Sequence, residues 1–350
     1  MILFDDIGSF PLPADISKEE VGRIVGSRDP EAVKTLFPVM NQVFDMKCRA
    51  GVQIPNYAQF QDMNEQFLGV IRDEKCCEEG RPFALKYECA GTAELEALEI
   101  YAAEKRRETG EKTDIRMCVT GPTELFLAEF GSASYDDIYR RFAEDINLFV
   151  RKAIRESRNI RIRTISVDEP SIGINPDLSL SRDTLIDGLT TASRAAAKCG
   201  CDVEIHIHSP LYYDIACETP TINIIGMESA ATPSYVDMID KKVLEKTDTF
   251  VRTGISRTDI FSMAGTLSEK HGLNVWSRPE LLNEVVTELE TSAVIEMRLE
   301  KLYGHFGDLI RYAGPDCGLG SWPSQETAAA LLRNTGDAVR RFNEKHKQEF

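Results

Sequence analysis

The sequence predicts one (β/α)8 barrel, a TIM barrel, spanning residues 1–350 as a single domain. Three observations predict it. Short apolar runs alternate with amphipathic stretches of ten or more residues, the pattern of parallel strands joined by crossover helices. No Ser/Gly-rich linker, internal repeat or low-complexity tract divides the chain. Polar residues able to do chemistry recur where the apolar runs end, as they do at the C-terminal rim of such a barrel.

Residues 2–4 open a first strand, closed by turn signals from Gly8 to Pro11. Ser17 followed by Glu20 is a capping box that starts a helix. A second helix covers 30–50, with Val33, Leu36, Met40, Val43 and Phe44 at helical spacing, interrupted at Pro38 and ended by Gly51. Residues 52–56 read as a strand and 58–72 as a helix. A strand-like run at 83–89 precedes a helix over 93–107, and a strand at 115–119 closes in Thr120-Gly121-Pro122 before a helix over 135–158. Then come strand 162–167, emptying into Asp168-Glu169-Pro170, and helix 181–198, ended by Gly200. Strands at 203–208, 221–227 and 250–255 follow, then a long helical stretch over 278–303, a strand at 309–313 and a closing helix over 334–347. These are nine strand-like runs where the barrel needs eight. The surplus is 83–89, read as an inserted hairpin, and the segment 76–112 is expected to extend outside the barrel.

A formal net charge of −16 leaves no basic stripe to neutralise phosphates, which argues against a nucleic-acid partner. No apolar run is long enough to span a membrane. The nine cysteines are scattered, odd in number and without CxxC spacing, and Asp5 and Asp6 stand where a secretory leader would be basic. This reads as a protein of the reducing cytoplasm with free thiols, Cys76-Cys77 among them as loop thiols.

His206 and His208 lie two apart on one strand and so share a face, and Ser209-Pro210 ends that strand. Alone, the pair reads equally as core histidines satisfied by hydrogen bonds. The other polar residues expected at strand ends are Asp6, Ser9, Asn56, Asp168, Glu169, Glu228, Arg252, Asp316 and Cys317. His208, Glu228 and Cys317 make a nitrogen, oxygen and sulfur set that suits zinc, and three protein ligands with an open position mark a catalytic zinc. Singly, Glu228 also reads as a helix cap and Cys317 as a small buried hydrophobe. Trp322 either floors a substrate pocket or packs beneath the last loop.

Seven pieces of the chain resemble the catalytic C-terminal barrel of cobalamin-independent methionine synthases and their short stand-alone relatives. They are Ile7-Gly8-Ser9-Phe10-Pro11, Asp62-Met63, Thr120-Gly121-Pro122, Asp168-Glu169-Pro170, His206-Ile207-His208, Met227-Glu228-Ser229 and Pro315-Asp316-Cys317-Gly318-Leu319. They keep the family's order over nearly the whole chain, and the last is the most specific. The resemblance implies zinc held by His208, Glu228 and Cys317. It implies that Ser9 and Asp168 hold the polar end of a thiol such as homocysteine, and that Ile7 and Gly8 present backbone to it. His208 and Asp168 are the expected catalytic residues of a methyl transfer to that thiol.

The chain departs from the family twice. Where the family has a cysteine two residues after the histidine, this chain has Pro210. The fourth place then falls to His206, to Cys217 or to water, with His206 favoured by its shared face. Asn56 and Tyr57 stand where the family has a glycine and a glutamate that contacts the substrate amine. Both are expected at the substrate, and the change opens the acceptor to amine-free thiols such as a coenzyme M-like sulfonate. Full-length synthases bind folate polyglutamate with an additional N-terminal half for which this chain has no room. The expected donor is therefore a methyl-corrinoid protein, with methylated folate as the alternative. Corrinoid:coenzyme M methyltransferases of the uroporphyrinogen decarboxylase-like group share the reaction class. A metal-dependent hydrolase would need further strand-end histidines, yet only His271, His305 and His346 remain, in helices or loops. A non-catalytic binding barrel would hold neither zinc nor thiol.

Overall fold

The computed structural model describes residues 1–347 apart from 134 and 177, so the last three residues of the expected domain lie outside the described residues. Seven strands form one parallel sheet, ordered β1-β7-β6-β5-β4-β3-β2. They are β1 (Leu3–Phe4), β2 (Thr113–Thr120), β3 (Ile160–Asp168), β4 (Asp202–Ile207), β5 (Ile224–Met227), β6 (Phe250–Ser256) and β7 (Ile310–Pro315). The curled sheet is TIM-barrel-like. Between its two edges lies the extended segment 54–56, which makes one parallel bridge to each side, Ile54 to Asp5 and Asn56 to Arg116. The strand expected at 52–56 shrinks to these bridges because Pro55 has no N–H to give a ladder.

Before β2 the chain forms α1 (Lys18–Ser27), α2 (Pro30–Lys34), α3 (Phe37–Arg49), α4 (Glu65–Ile71) and α5 (Ala93–Thr109). The Ser17 hydroxyl caps α1 by accepting the Glu20 N–H, as its spacing predicts. Pro38 sits in the first turn of α3, which accounts for the break between α2 and α3. The helix expected at 58–72 begins only at Glu65. Gln59 instead bridges to Ser9, and Asp62 Oδ1 accepts the N–H groups of Asn64 and Glu65.

The run at 83–89 is not a strand. Phe83 is left-handed (φ 58°), Cys77 and Leu85 form one antiparallel bridge, and residues 87–89 make a 3₁₀ turn. The Lys86 N–H donates to Cys76 O at 2.7 Å, bringing the two ends of this loop together. Cys76 and Cys89 are thereby joined as a disulfide, which corrects the expectation that all the thiols are free.

The remaining helices are α6 (Pro122–Phe130), α7 (Asp136–Glu156), α8 (Arg182–Cys199), α9 (Tyr213–Glu218), α10 (Lys241–Thr247), α11 (Ile260–His271), α12 (Pro279–Leu282), α13 (Ser292–Phe306) and α14 (Gln325–Lys347). The long stretch expected over 278–303 is broken by a π turn at 285–289, and Thr291 caps a fresh helix. Among the described residues no helix is long and apolar enough to cross a membrane.

Strand parity sorts the side chains. Val203, Ile205 and Ile207 of β4 join the main apolar core, while Glu204, His206 and then His208 take the opposite, inner face. The inner face begins, at the N-terminal ends of the strands, with a small apolar cluster of Ile54, Ile224 and Tyr312 packed by Leu3 and Phe250. Next comes a fully buried ionic layer. Arg116 binds Glu204 through both terminal nitrogens and Asp5 at 2.9 Å, and Arg252 Nε binds Asp5 at 2.9 Å. Arg252, expected at a strand end, is the third residue of β6 and belongs to this layer. Gly226 makes room for it, since a Cβ there would lie 2.1 Å from Glu204 Oε1.

Candidate metal centre

Above the ionic layer, His206, His208, Glu228 and Cys317 converge. One ligand atom from each lies within 4.8 Å of the others. His208 Nε2 is 3.3 Å from Glu228 Oε1 and 3.8 Å from Cys317 Sγ. Tetrahedral zinc with N, O and S ligands at its usual bond lengths separates its donors by about 3.3–3.8 Å, so the set is the right size. Neither ring nitrogen of the buried His206 has a hydrogen-bond partner. An unpartnered buried polar group costs about 1–3 kcal/mol, so His206 is not a core histidine satisfied by hydrogen bonds. Cys217 lies on α9 and is not in the cluster.

The backbone brings these residues together by register. β4 and β5 pair Ile207 with Met227, so His208 and Glu228 leave adjacent strand ends side by side. Asp316 accepts the N–H groups of Ala230 (2.9 Å) and Ala231 (2.7 Å), fastening the loop after Glu228 beside Cys317. Gly254 permits this approach, because a Cβ there would lie 1.8 Å from Asp316 Oδ1. Glu169 plays the same part for α6: it accepts the Thr123 and Glu124 N–H groups at the helix N-terminus, beside Gly121. Thr120-Gly121-Pro122 and Glu169 therefore build the frame rather than the reaction surface.

Burial, with His208, Arg252 and Arg116 adding to it, pushes the pKa of His206 well below the usual imidazole value; burial also lowers that of His208. Both imidazoles are therefore neutral, the form that ligates. Burial pushes Glu228 up to about 7, with Asp316 adding to it, and raises the Cys317 thiol. A bound cation reverses both of these shifts.

The cluster opens into a cavity of about 850 Å3. Ile7, Ser9, Gln59, Asp168, His206, His208 and Cys317 line its inner half, and α1 and α4 wall its outer half. Asp168 is level with His206 in the β3–β4 register, accepts the Ser166 hydroxyl at 2.6 Å, and is pushed up to about 7 by burial. Ser9 Oγ accepts the Gly320 N–H at 3.3 Å. Buried Lys47 holds this wall, pairing with Asp6 at 2.7 Å and donating to Gly8 O and Asn56 O. Asp6 is thus a support beneath the rim.

Gly8, Asn56, Tyr57 and Trp322 do not line the cavity. The Tyr57 hydroxyl donates to Cys118 O, and the Trp322 indole N–H donates to Thr258 O, so both are packed behind it. Asn56 faces Gly8 with both amide atoms unpartnered. The remaining histidines stay away from the rim: His271 pairs with Glu284, His346 with Glu300, and His305 lies on α13. Sequence reasoning missed Asp5, Arg116 and Glu204. Glu204 carried a signal, standing two residues before His206 and so on the same face.

Several solved structures share this fold, among them two methyl-transferring proteins by their descriptions. A B12-independent methionine synthase from a Shewanella species, in complex with selenomethionine, matches 99% of this chain and 99% of its own, with a TM-score of 0.65 and 13% sequence identity. A methyltransferase from Methanosarcina mazei matches 99% of this chain and 94% of its own, with a TM-score of 0.58 and 12% identity. No protein-family profile matches the sequence, and no curated protein matches it. At these identities the likeness is one of fold, and it covers the chain from end to end.

Proposed function

We propose that the chain is a zinc-dependent methyltransferase that places a methyl group on the sulfur of a small thiol. The observation that carries this reading is the meeting of four donors of zinc-compatible type and spacing, three of them lining a cavity and one with both nitrogens unpartnered. The likeness in fold to a methionine synthase and a methyltransferase supports it. On this reading the fold is a closed barrel with the segment 54–56 as its eighth stave, in one domain.

His206, His208, Glu228 and Cys317 would hold the metal. When bound, zinc supplies Lewis acidity that favours the thiolate, the nucleophilic form of a substrate thiol. Ser9 and the backbone at Ile7 hold the acceptor's polar end. Asp168, its pKa near neutrality, is placed to accept a proton from that end or to pair with a cationic group on it. The acceptor is a homocysteine-like or coenzyme M-like thiol, and the donor a methyl-corrinoid protein or a methylated folate. Asn56-Tyr57, in place of the glycine and glutamate of the family it resembles, and the neutral amide of Gln59 on the cavity wall favour testing amine-free thiols beside homocysteine.

The test is zinc content by mass spectrometry, followed by methyl transfer from methylcobalamin and from methyltetrahydrofolate to a panel of thiols. Stoichiometric zinc and methylation of at least one thiol are expected. A protein that takes up no zinc and binds no thiol would be a non-catalytic barrel.

A further inference from the structure

The outer wall of the cavity is tied to the disulfide through one arginine. Arg28, the left-handed C-cap of α1 (φ 53°), lines the cavity. Its Nη2 donates to Gly69 O on α4, which also lines the cavity, and its Nη1 pairs with Asp73. The same Nη1 lies 3.3 Å from Cys76 Sγ. Cys76 ends the 3₁₀ turn after α4, and Cys89 ends the turn that leads into α5. The bond therefore pins the exit of α4 to the entrance of α5 across an intervening loop.

We infer that the Cys76–Cys89 disulfide is a redox latch on the cavity's outer wall, closed when oxidised and released by a dithiol reductant. Cys76 is buried and Cys89 is half-buried, so an incoming thiolate meets the Cys89 sulfur first. Attack there forms a mixed disulfide at Cys89, and the electron pair of the broken S–S bond leaves on Cys76 Sγ. Arg28 stabilises that leaving thiolate, and a stabilised leaving group speeds exchange. The reductant's second thiol then displaces Cys89, which takes up a proton. One dithiol becomes one disulfide, and the chain gains two thiols. Loss of the bond frees the loop, and with it Cys76 as the anchor of Arg28. The wall shared by α1 and α4 loses the tie that joins it to α5.

The latch stands independently of the methyl-transfer reading, and its test uses neither metal nor methyl donor. Protein treated with oxidised glutathione or with dithiothreitol is blocked with iodoacetamide and digested. Peptides joined through Cys76 and Cys89 are expected after the first treatment, and both cysteines alkylated after the second. Hydrogen exchange is expected to be about tenfold faster over residues 18–28 and 65–77 in the reduced protein, and unchanged in β3 to β6. The double variant Cys76→Ser with Cys89→Ser should exchange at the reduced rate under both treatments, and Cys199→Ser should behave as wild type. Arg28→Met should slow reduction by dithiothreitol several-fold. Free alkylation of both cysteines after oxidised glutathione overturns the inference, as does equal exchange over 65–77 in the two states.

Discussion

Two groups of ionisable side chains share the inner face of this curled sheet, Glu204 of one standing two residues before His206 of the other on β4, and they are opposite in kind. Asp5, Arg116, Glu204 and Arg252 are all fully buried, and their two acids and two arginines pair with one another, although Arg116 Nε and both terminal nitrogens of Arg252 have no hydrogen-bond partner. His206 is buried and His208, Glu228 and Cys317 are half-buried, and they converge as acceptors with no cation of their own among them. Both groups hold unpartnered nitrogens; the first balances two acids with two arginines, and the second has no cation. Density of titratable residues does not mark a candidate site; convergence of ligand atoms with no counter-charge does.

The sharpest break of this contrast is substitution within the rim. His208→Ala and Cys317→Ala should each weaken zinc binding by more than about a hundredfold, since even second-layer partners of a metal cost about 10–100-fold. Stoichiometric zinc in both variants, read by mass spectrometry, would end the metal assignment. Next is Glu204→Ala, which strands the buried Arg116 guanidinium. It should cost about 3–5 kcal/mol in denaturant unfolding while the folded protein keeps its zinc. Loss of zinc without loss of stability would merge the two groups into one.

A third test concerns Asp145, buried in α7, where it accepts the Leu85 N–H with one carboxylate oxygen and has no partner for the other. Burial pushes its pKa up to about 7. Between about pH 4 and the folded pKa, the unfolded chain has lost this proton while the folded chain holds it. Stability from this group is therefore complete below about pH 4 and is lost as the pH rises towards 7. Asp145→Asn keeps an acceptor for Leu85. It should match the wild type at low pH and exceed it by about 2 kcal/mol at pH 8 in thermal unfolding; a gap that ignores pH would contradict this. The smallest effect belongs to Ser17→Ala, which removes the α1 cap for about 1 kcal/mol and should leave zinc content untouched.

The alternation of apolar runs with amphipathic stretches made the parallel sheet legible, because each run carries its own periodicity. The convergence of His206, His208, Glu228 and Cys317 was legible for a related reason. His206, His208 and Glu228 each sit at a strand end, and parity places them on the inner face. The ionic layer was harder to see, because Arg116 interrupts an otherwise apolar strand and its partners come from residues 5 and 204, joined only by the fold. Residues 83–89 misled because Phe83, Leu85 and Tyr87 alternate like a strand; the backbone turns left-handed at Phe83, and no neighbour offers a ladder. The disulfide could not be foreseen from spacing, since it depends on how that loop closes.

The glycines opposite the inner carboxylates have a consequence for how such a chain changes over generations. Gly226 faces Glu204, Gly254 faces Asp316 and Gly121 faces Glu169, each with no space for one more carbon. A methyl group gained at Gly226 or Gly121 has to be matched by a shorter acid across from it, so those pairs are bound to drift together, while at Gly254, opposite what is already the shortest acid and its backbone, no such match exists.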